Sequence, residues 1–250
     1  MLAEDRQDRI VRLVHDAGSL TVQELAEALE TSESTIRRDL VSLDAAHRLS
    51  KVHGGATSLE RAHVMRDLTI PERSDLHTTE KQAIARYAAT LVKPDSFVYI
   101  DSGSTTLQLI GLLPDLPGVV YVTNSVGHAR RLASRGLRTI VLAGELKPET
   151  EALVGPDAVA TLDRYHFACG FWGTNGVTVE QGFTTPDIEE AQVKRLSLER
   201  AERAYVLCDA SKFGMVGPVK FADFAQTTVV TGHAVPESYR GHGNVMSIGR

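Results

Sequence analysis

Residues 32–56 read SESTIRRDLVSLDAAHRLSKVHGGA. Ile36, Leu40 and Leu43 recur at the spacing of one helical face, and Ser32 offers a cap for the first free N–H groups. The spacing predicts a short helix after Ser32 whose outer face includes Ser34, Thr35, Arg37, Arg38, Val41 and Ser42. Two adjacent guanidinium groups on such a face can be ordinary solvated charge. They can also read guanine edges or clamp phosphates if the helix enters a DNA major groove. Behind the helix, Leu49-Ser50-Lys51-Val52-His53 alternates before Gly54-Gly55, the pattern of a two-stranded wing.

The upstream sequence favours the groove. Ile10, Leu13, Val14 and Ala17 mark one helical face, and Gly18 ends that helix. Thr21 to Glu24 reads T-V-Q-E, a capping box opening a second helix with a stripe of Val22, Leu25, Ala26 and Leu29. Three short helices cannot bury their faces singly, and the Glu30-Thr31-Ser32 connection suits a helix-turn-helix. Candidate DNA contacts are Ser34, Thr35, Arg37, Arg38, Lys51 and His53. His53 fits phosphate contact and wing packing equally. Asp39 would repel phosphate, so its expected task is to orient one of the arginines or the helix.

Charge neither demands nor forbids this. The 250-residue chain carries a net −5. Through Ala56, seven Lys/Arg face ten Asp/Glu, but most of the acids precede Ser34 and most of the bases follow it. DNA affinity depends on the local face presented to phosphate. Cys169 and Cys208 lie far apart in apolar runs with no metal-ligand spacing, which predicts buried thiols. No apolar run approaches the ~20 residues of a membrane span, and the charged N-terminus lacks a signal-peptide core. The expectation is a cytoplasmic protein with no membrane partner.

Residues 58–77 mix charges with poor periodicity and read as a linker, partly extended, before a helix at Thr78 or Thr79 with a face of Ile84, Tyr87, Ala88 and Leu91. From Ser96, short β-rich runs (97–100, 119–122, 139–142, 166–171, 205–208) alternate with helical stretches (105–113, 126–135, 156–163, 187–203). That alternation predicts a Rossmann-like, mostly parallel α/β domain with helices on both faces, binding ligands beyond the carboxyl ends of its strands. Asp101-Ser102-Gly103-Ser104-Thr105-Thr106 follows a strand and opens a helix. Small residues, hydroxyls and a helix N-terminus suit a phosphate, although an ordinary strand-to-helix turn would look the same. The loop lacks the GxxxxGK[ST] pattern, so nucleotide hydrolysis is not expected. Thr123-Asn124-Ser125, Ala143-Gly144-Glu145, Gly173-Thr174-Asn175-Gly176 and Asp209 to Gly214 close other strands. Lys212 reads as a mobile cation at the same edge, suited to a phosphate or a sugar hydroxyl. The candidate effector set is Asp101 through Thr106 with Asn124 and Lys212. His233 and His242 are too sparse for a metal site, and residues 233–250 read as a loosely ordered tail. The division is thus 1–57, 58–77, 78–232 and 233–250.

The run S-E-S-T-I-R-R-D-L followed by V-H-G-G-A resembles the DNA-binding domain of the DeoR family of bacterial transcriptional repressors, over residues 6–56. Residues 71–231 resemble that family's sensor domain through Glu80-Lys81, DSGSTT, TNS, AGE, Val154-Gly155, Gly182-Phe183-Thr184 and SKFG. His47 replaces a usual glycine, Lys51 a common arginine and Ala143 a common glycine. The resemblance implies a recognition helix holding Thr35, Arg37 and Arg38 and a sensor similar to sugar-phosphate isomerases, with the DSGSTT loop on the effector's phosphate and Lys212 in contact with it. It implies a repressor of carbohydrate-metabolism genes, a homo-oligomer (dimer or tetramer) on double-stranded operator DNA, no cofactor and a sugar-phosphate effector. The competing expectation is an aldose–ketose isomerase with an accessory DNA-binding module. Its base would come from Asp101, Glu145, Asp187 or Asp209, and no pair of these is singled out by spacing.

Overall fold

A computed structural model of the protein describes residues 3–46, 48–52, 54–59 and 69–249. It divides into two compact units, Met1–Met65 and Arg66–Arg250.

In the first unit, α1 (Ala3–Ala17) leads through Gly18, with φ 76°, into β1 (Ser19–Thr21). Next come α2 (Val22–Ala28) and α3 (Glu33–Ala45), then β2 (Ser50–Val52) and β3 (Gly55–Thr57). The capping box forms as expected, with Glu24 N–H donating to Thr21 Oγ1 at 3.2 Å and Thr21 N–H to Glu24 Oε2 at 2.8 Å. Ser32 caps α3 through Thr35 N–H. Ile10, Val14, Val22, Leu25, Ile36, Leu40, Leu43 and Leu49 share one core. The wing has three strands, not two, in the order β1-β3-β2 and all antiparallel. Both glycines of the pair are required. Gly54 turns at φ +84°, and a Cβ on Gly55 would meet Leu20 O at 2.2 Å, where β1 crosses β3.

The second unit begins earlier than the linker expectation allowed. Thr69 starts a capping box with Glu72 and opens α4 (Ile70–Ser74), so 69–77 is folded, while residues 60–68 lie outside the described residues. After α5 (Thr78–Ala89) the chain alternates β4 (Phe97–Ile100), α6 (Ser104–Leu112), β5 (Val120–Thr123), α7 (Val126–Ser134) and β6 (Thr139–Val141). A short hairpin, β7 (Glu145–Leu146) with β8 (Leu153–Val154), precedes α8 (Pro156–Leu162). β9 (Cys169–Gly173), β10 (Gly176–Thr178), β11 (Gly182–Thr185), α9 (Ile188–Glu199) and β12 (Ala204–Leu207) follow. The chain ends with β13 (Val219–Ala222), β14 (Thr228–Thr231), α10 (Glu237–Arg240) and β15 (Val245–Ser247).

The main sheet has seven strands, β15-β14-β12-β9-β4-β5-β6, every pair parallel. Strand residues alternate between two cores. Tyr99, Trp172, Val206 and Val229 face α8 and α9, whereas Val98, Ile100, Phe171, Leu207 and Val230 face α5, α6 and α7. Both cysteines are buried and free. The fourth expected strand, 166–171, lies at Cys169–Gly173. A second, antiparallel sheet, β10-β11-β13, was not expected. The supposed tail is also folded, because β15 pairs with β14 and gives the backbone of 245–247 hydrogen-bond partners. From β4 the chain runs one way along the sheet to β5 and β6, and from β9 the other way to β12, β14 and β15. The β4/β9 junction is therefore the switch point where such sheets open a crevice at their carboxyl ends.

Candidate DNA-reading face and anion site

On α3, Ser34, Arg37, Arg38 and Val41 stand at i, i+3, i+4 and i+7, and all four are exposed. Thr35 is half-buried, and its hydroxyl lies 3.0 Å from Ser32 Oγ within the cap. Arg37 donates to Glu33 Oε2 at 2.9 Å, one turn earlier on the same exposed face. Arg38 Nε donates to Ser34 O at 3.4 Å. Lys51 is exposed on β2, its N–H held by Asp44 Oδ1 at 2.8 Å. His53 and His47 lie outside the described residues. Asp39 does not orient Arg37 or Arg38. It is buried and accepts from Arg6 at 2.6 and 3.2 Å and from Gln7 at 3.3 Å, so it locks α3 to α1. The outer face of α3 thus carries two arginines, the exposed isopropyl group of Val41 and two carboxylates, Glu33 at its start and Asp44 at its end.

In the second unit all six residues of 101–106 are buried at the switch point. Gly103 begins α6 without a side-chain cap, so the first N–H groups of the helix have no intrahelical acceptor. Asp101 follows β4 and accepts from Lys194 on α9 and from Gly173 N–H at 3.0 Å on β9, which ties these three elements together at the carboxyl end of the sheet. Burial pushes the Asp101 carboxyl above its usual range, and Lys194 pulls it back. Asp101 Oδ1 and Ser102 Oγ are buried without a partner among the described residues. Asn124 Oδ1 accepts Ser102 N–H at 3.0 Å, and Thr106 donates to Asp101 O at 2.6 Å, so these two support the loop rather than face a ligand. His128 braces it from α7, with Nε2 at 3.2 Å from Gly103 O and Nδ1 at 2.8 Å from Ser125 Oγ. A carbonyl only accepts, so Nε2 carries the proton and Nδ1 takes the Ser125 hydroxyl. Burial pushes His128 down to about 4, which keeps it neutral.

Besides Lys194, three buried cations lie near this loop. Lys212 sits on the turn Ala210–Lys212, is 6% exposed, and holds the Asp209 carboxyl below its usual range against the effect of burial. It is thus not the mobile side chain expected, because the turn packs it inward. Lys81 donates to Ser104 Oγ at 3.0 Å and to Arg73 O at 2.6 Å, and burial lowers its pKa to about 8. Arg73, on α4, is 8% exposed, and its Nε and Nη2 have no partner among the described residues. Sequence reasoning missed Arg73, Lys81 and Lys194 as site residues. The signal existed for the lysines: Lys81 lies three residues before Ile84 and Lys194 three after Ala191, both on buried stripes. His77, Glu80 and Asp209 each bring a ligand atom within 4.8 Å of the others. With Lys81 and Lys212 adjacent, these carboxylates read as counter-charge rather than as a cation site. Of the four carboxylates of the isomerase expectation, Asp187 caps α9 and pairs with Lys147 at 2.8 Å, Glu145 is exposed on β7, Asp101 is paired with Lys194, and Asp209 lies beside Lys212.

A winged helix-turn-helix unit followed by a parallel α/β unit with buried cations at the switch point of its sheet is the make-up of a ligand-sensing, DNA-binding transcriptional regulator. The chain belongs to the DeoR family: residues 6–62 match the DeoR-like helix-turn-helix domain and residues 76–233 the DeoR C terminal sensor domain. It is 37% identical to "Uncharacterized HTH-type transcriptional regulator FruR" of Bacillus subtilis over 92% of this chain and 91% of that protein. It is 29% identical to the lactose phosphotransferase system repressor of Streptococcus mutans over 92% of each. It is a regulator and not an enzyme. Among solved structures, ribose 5-phosphate isomerase A from Methanocaldococcus jannaschii aligns over 53% of each chain at 18% identity and TM-score 0.41, a likeness too loose to argue from. No helix of the described residues is long and apolar enough to cross a membrane.

Proposed function

We propose that this regulator represses carbohydrate-metabolism genes from the cytoplasm, binding operator DNA as a homo-oligomer, and that a phosphorylated sugar modulates its grip. No resident cofactor takes part. Ser34, Thr35, Arg37, Arg38, Lys51 and His53 form the DNA set in this reading, with Thr35 acting through the cap. The observation that carries the effector half is the uncapped start of α6 beside buried Lys81, whose ammonium donates to the neutral oxygens of Ser104 and Arg73, and beside Arg73, whose Nε and Nη2 have no partner among the described residues. Buried charge is costly without a counter-ion, and a helix N-terminus favours a dianion. The phosphate of the effector takes that place, with Ser102, Gly103, Ser104 and Thr105 beneath it. Asp101 and Asn124 set the loop's shape. The repressor role of the lactose phosphotransferase relative supports the sign of control.

An effector shifts operator affinity only through its differential affinity for the DNA-binding and non-binding states. Two recognition helices on a palindrome would set half-sites about ten base pairs, or a multiple, apart. A thermal-shift panel of pentose and hexose monophosphates tests the reading. Stabilisation by a subset, lost with the dephosphorylated sugars, is expected; equal response to sugar and sugar phosphate would contradict it.

A further inference from the structure

We propose that Arg73 is the residue through which a bound anion takes hold of the segment leading to the DNA-binding unit. This rests on the anion-site reading above and deepens it. Arg73 lies on α4, the first described helix after residues 60–68, which join the two units. Its guanidinium is among the most costly groups to bury, and buried cations in folded proteins are almost always paired. Here the residue is 8% exposed, yet Nε and Nη2 have no acceptor among the described residues.

The unpaired donors lie beside the start of α6. Lys81 Nζ bridges the Arg73 carbonyl and Ser104 Oγ, at 2.6 and 3.0 Å. The Arg73 charge weighs on Lys81 and on His128, whose Nε2 binds Gly103 O. α4 packs on α6. An adjacent pair of guanidinium N–H groups matches two oxygens of a phosphate. Lysine cannot offer that planar fork.

α4 is five residues long, buries Ile70, and is joined to the rest of the unit by few backbone bonds, Ile70 N–H reaching Glu149 O at 3.3 Å. A phosphate on Arg73 would add charge-assisted bonds between α4 and α6 that are missing without it. Occupancy would then steady α4, the first described helix after residues 60–68, which is a way for a small ligand to act on the helix-turn-helix unit.

Hydrogen exchange on the full chain tests this, with inorganic phosphate, fructose 6-phosphate and ribose 5-phosphate as probes. At least one probe should slow exchange both in peptides covering 101–108 and in those covering 69–76. In Arg73→Ala, probe affinity should fall at least tenfold, and at saturation protection should stay at 101–108 while 69–76 exchanges as in the free protein. Arg73→Lys, which keeps the charge and is the safer variant for folding, should bind within a few-fold of the native protein and protect 69–76 only weakly. Protection at 101–108 without any at 69–76 in the native protein overturns the role of Arg73 and leaves the anion site standing. So does native probe affinity in Arg73→Ala. Protection at neither segment overturns both.

Discussion

Lys194 on α9 meets the fully buried Asp101 carboxylate at the end of β4, so that two residues 93 positions apart join α9 to the carboxyl end of the sheet. Such a pair gives little net stability over an apolar one, but breaking it strands a charge. Lys194→Ala should therefore destabilise the sensor unit by ~3–5 kcal/mol. Urea unfolding followed by tryptophan fluorescence would read this well, because Trp172 donates to Ser197 on the same helix at 2.9 Å. A loss under ~1 kcal/mol would show that the pair is solvated or replaceable.

Arg37 stands exposed on the α3 face, its guanidinium held by Glu33 one turn back. An exposed pair of this kind contributes only about 0.3–0.5 kcal/mol, so DNA can displace it cheaply. Arg37→Ala should weaken binding to a selected duplex by ~1–3 kcal/mol and relax preference at one base pair. Fluorescence anisotropy measures both effects. Unchanged affinity would place Arg37 on a merely solvated surface.

Val41 is 56% exposed on the same stripe, one turn beyond Arg37. Four residues of helix advance about 6 Å, close to two base-pair steps of 3.4 Å. An apolar group there suits a thymine methyl next to the base pair proposed for Arg37. Replacing that thymine by deoxyuridine should weaken the native protein and leave Val41→Ala indifferent. If both proteins lose affinity equally, Val41 makes no such contact.

His128, which braces the 101–106 loop through Gly103 O, is expected to make the stability of the fold depend on pH. Burial holds its folded pKa to about 4, below the ordinary histidine value of 6.5, so the unfolded chain binds more protons between these values. Stability from this group is complete above pH 6.5 and is lost as pH falls toward 4, on the order of 3 kcal/mol at 1.36 kcal/mol per unit. His128→Gln, which keeps a donor for Gly103 O, should show a flatter decline of thermal midpoint over that window. An identical pH profile would assign the acid sensitivity to other groups.

Much of this architecture was legible where a physical period or a cap repeats in the chain. Ile36, Leu40 and Leu43 drew α3, and Ser32 and Thr21 fixed two helix starts. The strand runs 97–100 and 205–208 needed only their β-branched and aromatic density. Elements decided by partners stayed hidden. β1 is three residues whose strand character comes from pairing with β3, and β15 exists because β14 offers an edge. β10 and β11 fall in a stretch rich in Gly and Thr that reads as loop without β13 beside it. In the site, DSGSTT was visible as a strand-to-helix turn of small residues. Arg73 was not, because one arginine in a charged, aperiodic segment carries no pattern until α4 folds it against α6.

Titration of a selected duplex in the presence of sugar phosphates tests the central claim most directly. The duplex would be chosen from a randomised library at low ionic strength, and its affinity measured with and without each pentose or hexose monophosphate. The account predicts tight, salt-sensitive binding that at least one sugar phosphate weakens about tenfold or more while its unphosphorylated parent does not, a coupling of about 1.4 kcal/mol or more. A protein that selects no duplex, or whose duplex affinity no phosphorylated sugar alters, would contradict it.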